Sequence, residues 1–600
     1  MIKGLRLLWK VFSRSERRKF VVLCFLLLGL ALLEVAGIGS IAPFLAVATQ
    51  PELVETNRYL NRAYTTLGFD SHRTFFVALG FAVAGFIVLR NMFNALTDYA
   101  KARFAHGRGH TMARQLLARY LARPYVFFLN QNSADLSKNV LSEVQTLMKG
   151  FLIPFLDGLA NLVVAALIIG FLIAVNPAVS GVVATVIVVM YGGTFALIRM
   201  RLYKLGKQRI RANRERFKAT SEALGGIKDV KMLGKEKVFV DRFSVPSRRM
   251  ATLQARKKIL GAVPKYFLQS FMFGGIILAV TLVIATRDDF ASLIPLIGVY
   301  AYAANRLQPA FKHMFRDLAQ LRAHQPVVEL VTRHLDMDYL QRLPRFKLRE
   351  VPPLPFERRI LLQDIRFRYP NTDEDVIREQ SLEIEKNSIV GLAGPTGCGK
   401  TTLVDVMLGL LPPTSGRIVI DDTPLTQQNL RNWQVNLGYV PQHIYLSDDS
   451  ITRNIAFGIP DADIDTDAVR RAARIANLAD FIEDELPKGY DTVVGERGVR
   501  LSGGQRQRLG IARAVYTDPK VLILDEATSA LDGLTEDAIM DAIHSLTRRK
   551  TIIIIAHRLT TLVECDTIFM LDKGRITASG SYGELLERNP RFQRMAKVSG

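Results

Sequence analysis

Residues Gly394–Thr401 read Gly-Pro-Thr-Gly-Cys-Gly-Lys-Thr, the GxxxxGK[ST] spacing of a phosphate-binding loop. An apolar stretch, Ser388–Ala393, precedes it and a helical pattern, Thr401–Leu410, follows. That strand-loop-helix context is what the chemistry requires. Gly394, Gly397 and Gly399 let backbone N–H groups face an anion, and the helix N-terminus favours negative charge. Pro395, Thr396 and Thr402 complete the cradle. Lys400 has the reach for β- and γ-phosphates, and the Thr401 hydroxyl can ligate Mg²⁺. Cys398 reads as a small packing residue rather than a nucleophile. A second branched run, Val521–Leu524, ends in Asp525-Glu526. A carboxylate at the end of a buried strand beside such a loop can hold Mg²⁺, which assigns Asp525. Glu526 is then the candidate base that polarises an attacking water.

These groups need a soluble α/β scaffold, and the sequence offers one only in its second half. The chain has 600 residues, and its apolar residues are unevenly distributed. A bilayer core of ~30 Å takes about 20 helical residues. Six stretches meet that length, near 21–48, 74–97, 151–175, 178–198, 263–285 and 290–314. The basic start, the first apolar run and Ala46-Val47-Ala48 mimic a cleavable signal. The run is too long for one and contains Glu34, so a retained span is expected. Three scattered cysteines exclude a disulfide scaffold and a cysteine zinc module.

The net charge of +23 would suit nucleic acid, yet much of it lies in two joints, 98–150 and 199–261. Cationic joints stay in the cytosol. The charge therefore reads as topology, with both termini cytosolic and no nucleic-acid partner. The two joints read as helices continuing below the membrane, each ending in a turn, at Gln131–Asp135 and Leu224–Asp229. Either turn is a surface loop or a short helix that docks on another domain. Prolines at 344, 352, 353 and 355 mark a linker. The expected organisation is a membrane domain over 1–336, a linker over 337–358 and an ATPase over 359–600.

Leu501-Ser502-Gly503-Gly504-Gln505 resembles the signature sequence of ABC-transporter ATPases. Further elements are similar to that family's pattern. Gln442, in Val-Pro-Gln-His, resembles the glutamine that touches Mg²⁺ and the attacking water. Ser529–Asp532 resembles the loop crossing to a partner. His557 resembles the histidine at the γ-phosphate, and Tyr369 the aromatic that stacks on adenine. Six spans followed by one ATPase resemble the exporter-type half-transporter. The resemblance implies an α-helical polytopic membrane domain of six helices followed by an α/β P-loop ATPase, with ATP and Mg²⁺ as cofactors. It also implies a nucleotide sandwiched between Lys400 of one subunit and Ser502–Gln505 of the other. Every ATPase element is intact, which favours a homodimer over a heterodimer. The two cytosolic turns then resemble the coupling helices of exporters.

The membrane half gives softer clues to cargo. Arg90 and Arg306 each lie 16 residues into their spans, a depth of ~24 Å, and Lys265 enters from the cytosolic side. They read either as snorkelling cations or as a cationic ring for an anionic head group. Leu53, Leu60, Tyr64 and Leu67 recur at helical spacing between charges, so 51–69 is expected to form an amphipathic outer helix. These features resemble bacterial lipid-linked oligosaccharide flippases of the PglK type. That resemblance implies flipping of a polyprenyl-pyrophosphate-linked oligosaccharide, a lipid-linked anionic substrate, across the bacterial inner membrane. A lipid or multidrug exporter, and an ATP-gated channel or regulatory subunit, remain the alternatives.

Overall fold

The computed structural model describes residues 12–49, 53–69, 71–175, 177–286, 294–336, 351–370, 372–526, 549–556 and 558–599, with Trp9 and Met540. The chain forms two compact units. One comprises Met1–Arg123 with Asn130–Leu343; the other comprises Pro124–Leu129 with Pro344–Gly600.

The first unit is helical. Its six long helices among the described residues are α1 (Arg14–Thr49), α3 (His72–Leu121), α6 (Ile153–Val175), α7 (Pro177–Gly225), α9 (Glu236–Thr286) and α10 (Ile294–Asp336). Among those residues, Arg14–Gly37, His72–Leu121 and Ser133–Ala174 are long and apolar enough to cross a membrane. The other three expected stretches run along α7, α9 and α10. The amphipathic outer segment forms Leu53–Thr56 and α2 (Arg58–Thr66). Asn57 caps α2 by accepting from the Tyr59 and Leu60 amides. Leu60, Tyr64 and Phe69 pack with Val54 and Phe75, so the apolar stripe covers the end of α3.

Two tight contacts hold the helical extensions beyond the apolar stretches together. A Cβ on Gly206 would lie 1.9 Å from the Ala323 carbonyl oxygen, so α7 and α10 touch backbone to backbone. A Cβ on Gly150 would meet the His324 ring at 2.6 Å. Beside them Glu143 is fully buried, and it accepts from Arg209 Nη1 (2.7 Å) and Asn213 Nδ2 (2.8 Å). A buried carboxylate needs that pairing, since stranding it costs several kcal/mol.

The turn at 131–135 departs from the sequence reading. Asn132 caps α5 (Ser133–Lys138), whose Asp135 pairs with Lys138 (3.3 Å) and Arg214 (2.6 Å) inside the helical unit. The segment that belongs to the ATPase unit is the apolar α4 (Tyr125–Leu129), eight residues earlier, with Val126 against the ATPase core. The second turn forms α8 (Ile227–Met232) with Met232 and Leu233 exposed.

The second unit holds two sheets. One is antiparallel, ordered β2-β1-β4-β5, with β1 at Arg359–Phe367, β2 at Ile377–Glu385, β4 at Ser415–Ile420 and β5 at Thr423–Pro424. The other is ordered β10-β9-β3-β8-β7-β6. In it β6 (Leu437–Val440), β7 (Val521–Asp525), β8 (Thr551–Ile555), β3 (Ile389–Ala393) and β9 (Thr567–Asp572) run parallel, and β10 (Arg575–Gly580) is antiparallel. β3, β7 and β8 are buried at every residue, as strands covered on both faces must be. The segment before β1 is not an idle tether. Leu354 and Phe356 are buried in the ATPase core, and the Asn436 Nδ2 donates to the Leu354 carbonyl at 2.7 Å.

Gly206→Ala should force α7 and α10 apart and lower stability by about 1–3 kcal/mol. Gly107→Ala, mid-helix with open space around its Cβ, should leave it the same or raise it by up to about 1 kcal/mol. Thermal unfolding of the purified protein in one detergent checks the pair.

Candidate active site

The parallel sheet brings the C-terminal ends of β3 and β7 to one edge, where open α/β sheets place their ligands. β3 ends at Ala393 and turns into the phosphate loop, and α11 (Lys400–Met407) starts immediately after it. The loop conformation depends on glycine. Gly394, Gly397 and Gly399 have φ of 151°, 78° and 108°. A Cβ on Gly394 would also lie 2.3 Å from the Leu571 carbonyl oxygen and 2.9 Å from Cys398 Sγ. Cys398 is buried, and burial raises its thiol pKa, which fits the packing role. Thr396 and Gly397 are exposed at the crest of the loop. Lys400 is only 6% exposed, and its ammonium donates to the carbonyls of Gly394 (2.8 Å) and Pro395 (3.2 Å).

Asp525 closes β7 and is 1% exposed. Burial, and after it the Glu526 charge, pushes its carboxyl above the ordinary range; hydrogen bonds with Thr401 and Tyr439 and the Lys400 charge pull the other way. The Tyr439 hydroxyl donates to Oδ2 across 3.5 Å. Oδ1 is buried with no hydrogen-bond partner among the described residues. A buried carboxylate oxygen with no donor is expensive unless a cation meets it. Thr401, Asp525 and Gln442 offer hydroxyl, carboxylate and carboxamide oxygens, an all-oxygen set that fits a hard divalent cation.

Glu526 follows Asp525 with φ 53°, an uncommon conformation for a non-glycine residue. Its amide donates to the Ile555 carbonyl at 3.0 Å, which fixes the turn to β8. Its Oε2 accepts from Gln442 Nε2 at 2.6 Å. Tyr369 reaches the same site, since its hydroxyl shares a 3.0 Å hydrogen bond with Thr402. Phe367 packs edge-on against its ring.

Ser502 caps α13 (Gly503–Val515) through a capping box. Its hydroxyl accepts from the Gln505 amide (3.1 Å), and the Gln505 side chain accepts from the Ser502 amide (2.8 Å). Gly503 and Gly504 then present the first turn of the helix without side chains. His557 and Ser529–Asp532 lie outside the described residues.

Two residues escaped the sequence reading. Tyr439 lies three residues before Gln442, and Asp405 is on α11. Burial, and then the Asp525 charge, lifts the Asp405 carboxyl to about 6. Alternation in Leu437–Val440 marks a strand, but only the pairing of β6 with β7, Val440 opposite Leu524, shows that Tyr439 reaches the carboxylate.

The membrane cations fare differently. Arg90 is buried and paired with Glu34, Nη2 to Oε1 at 2.8 Å. Its charge is thereby offset by a carboxylate 56 residues earlier rather than left bare for a ligand. Lys265 lies on α9 and Arg306 on α10, with side chains outside the described residues.

Residues 20–300 match the ABC transporter transmembrane region and residues 377–529 the ABC transporter ATPase family. The ATP-dependent lipid A-core flippase of Ralstonia nicotianae is 32% identical over 493 residues, 81% of each chain. Its counterpart from Cupriavidus metallidurans is 30% identical over 530 residues, 86% of each chain. This chain is an ABC transporter. A bacterial Atm1-family ABC exporter solved with ATP bound shares the fold, at TM-score 0.78 and 24% identity, over 98% of this chain and 99% of that one. This ABC transporter is an exporter-type half-transporter, a membrane domain followed by one ATPase domain, and it couples ATP hydrolysis to transport.

Glu526→Gln keeps the size and the Gln442 contact of the side chain but removes its basicity. Hydrolysis should fall by at least about 100-fold, with ATP binding retained, as steady-state turnover and equilibrium nucleotide binding will show.

Proposed function

We propose that two copies of this chain form an ATP-driven flippase for a lipid-linked oligosaccharide with a phosphate-bearing link. The polyprenyl-pyrophosphate form is the specific candidate. The observation that carries the reading is a polar cavity of about 560 Å³ among α1, α3, α6 and α10. Glu34, Asn94, Lys101, Asp157, Asn161 and His313 line it. Lys101 Nζ lies 2.7 Å from both Asp98 and Asp157. Glu34 and Asp157 fall within the expected spans, where ionisable groups are costly and mark a pathway. Leu30, Ala160, Val164, Ile168, Pro309 and Ala310 supply the rest of the lining, so the cavity suits an amphipathic molecule that pairs a hydroxyl-rich head group with apolar surface. The relatives named for lipid A-core flipping support a glycolipid cargo.

In this reading the phosphate-loop amides and Lys400 bind ATP, Tyr369 stacks on adenine, and Thr401, Asp525 and Gln442 hold Mg²⁺. Bound Mg²⁺ would offset phosphate charge. Glu526 takes the proton of the attacking water, with Gln442 fixing its carboxylate and His557 at the γ-phosphate. Ser502–Gln505 of the second copy close over the same nucleotide, using the N-terminus of α13. Closure of the pair passes to the membrane helices through α4 and α8. Lys265 and Arg306 would serve the anionic link, whereas Arg90 orients Glu34 at the cavity. The cationic joints support a bacterial inner-membrane location with ATPase and termini cytosolic.

Proteoliposomes with lipid-linked oligosaccharide inserted test the reading. Outward movement should require ATP and stop with Ser502→Arg, which crowds the closing surface. Asn94→Leu with Asn161→Leu should slow flipping about three- to tenfold, the loss of a few neutral hydrogen bonds, while basal ATP hydrolysis persists. Flipping that proceeds without ATP, or ignores both lining changes, would remove the assignment.

A further inference from the structure

A second cavity, of about 270 Å³, lies in the helical unit below the polar one. It is lined from four helical segments, with Lys149 before α6, Arg209 on α7, Lys257 on α9 and His324 on α10. Counted from the apolar stretches at 1.5 Å per residue, all four lie within roughly 16 Å of the cytosolic hydrocarbon edge. That is the depth of the head groups and the water just beyond them.

Its chemistry is one-sided. None of its lining residues is a carboxylate. Arg209 has a partner behind the wall, the fully buried Glu143. Lys149 and Lys257 have no ion pair among the described residues. His324 is 6% exposed, and its Nδ1 lies 2.9 Å from the Gln320 carbonyl. Gln145, Gln254 and Gln320 add carboxamides. Three cations and several amide donors around a volume of this size are complementary to a multiply charged oxyanion. The placement is also specific. α6 packs chiefly on α10 and α7 chiefly on α9. His324 and, just before α6, Lys149 belong to the first pair, Arg209 and Lys257 to the second. α7 also packs on α10, so an occupant would add polar contacts along the seam that Gly206 and Ala323 already close.

We infer that this cavity is a binding site for a phosphate-bearing anion, distinct from the nucleotide site and from the polar cavity. The inference does not depend on the flippase reading, since it concerns a separate site and is read without transport. The source is a free oligophosphate or the phosphate of a cytosolic-leaflet lipid.

The test uses the full chain carrying Lys400→Ala, which weakens anion binding at the phosphate loop, in nanodiscs of phosphatidylcholine at fixed ionic strength. Hydrogen exchange is followed over 145–150, 205–209, 253–257 and 320–324, first with inorganic pyrophosphate, then with phosphatidic acid added to the nanodisc. Either probe should slow exchange in these segments at least about threefold. Protection by pyrophosphate identifies a soluble anion, and protection by phosphatidic acid alone identifies a lipid head group. Lys149→Gln with Lys257→Gln should abolish it, and so should Gln254→Glu, which adds one carboxylate at an exposed lining position. Arg209 is left in place because it holds Glu143. No protection from either probe, or protection undiminished in both variants, would overturn the site.

Discussion

The ATPase depends on one constraint, which is that Asp525 is buried with an oxygen that no donor among the described residues satisfies. The three central strands are buried at every residue and apolar except at their ends, where Asp525 and Thr551 lie. The fold gathers those ends, and the glycines of the phosphate loop let backbone come close enough to share the edge. Lys400, Thr401, Gln442, Glu526 and Tyr439 then gather beside Asp525 at that edge. Tyr439 and Asp405 extend the network behind the carboxylate, where burial rather than sequence motif sets their character.

Much of this was legible in the sequence because the motifs are local. A glycine-rich loop between a strand and a helix, and two acids after a branched run, announce their geometry within a few residues. What stayed hidden was relational. Glu34 reads as an awkward charge in a span, and Arg90 as a cation looking for a ligand. Only the packing of α1 on α3 reveals that they satisfy each other. The docking segment was misplaced for a similar reason. The polar turn at 131–135 looked like a connector, but its Asn132 and Asp135 are consumed by caps and ion pairs in their own unit. The apolar Tyr-Val-Phe-Phe-Leu before it had surface left to bury. The antiparallel sheet and the burial of Leu354 and Phe356 were likewise set by long-range pairing that composition does not disclose.

The membrane unit follows a complementary logic. Glycines at 150 and 206 remove the side chains that would separate helices, and the Glu143–Arg209–Asn213 group fixes the register there by hydrogen bonds. Ionisable groups are admitted where a cavity can use them, at Glu34, Lys101 and Asp157. A rigid lattice of this kind passes on a displacement as a movement of whole helices rather than letting it dissipate in side chains.

The capping box of Ser502 and Gln505 has a consequence for the mouth of α13. It engages the Ser502 and Gln505 amides, whereas the Ser502 hydroxyl proton and the Gly503 and Gly504 amides take no part in it. An anion arriving at that helix start would be met by those donors without dismantling the box, so the turn keeps one shape whether or not it is occupied.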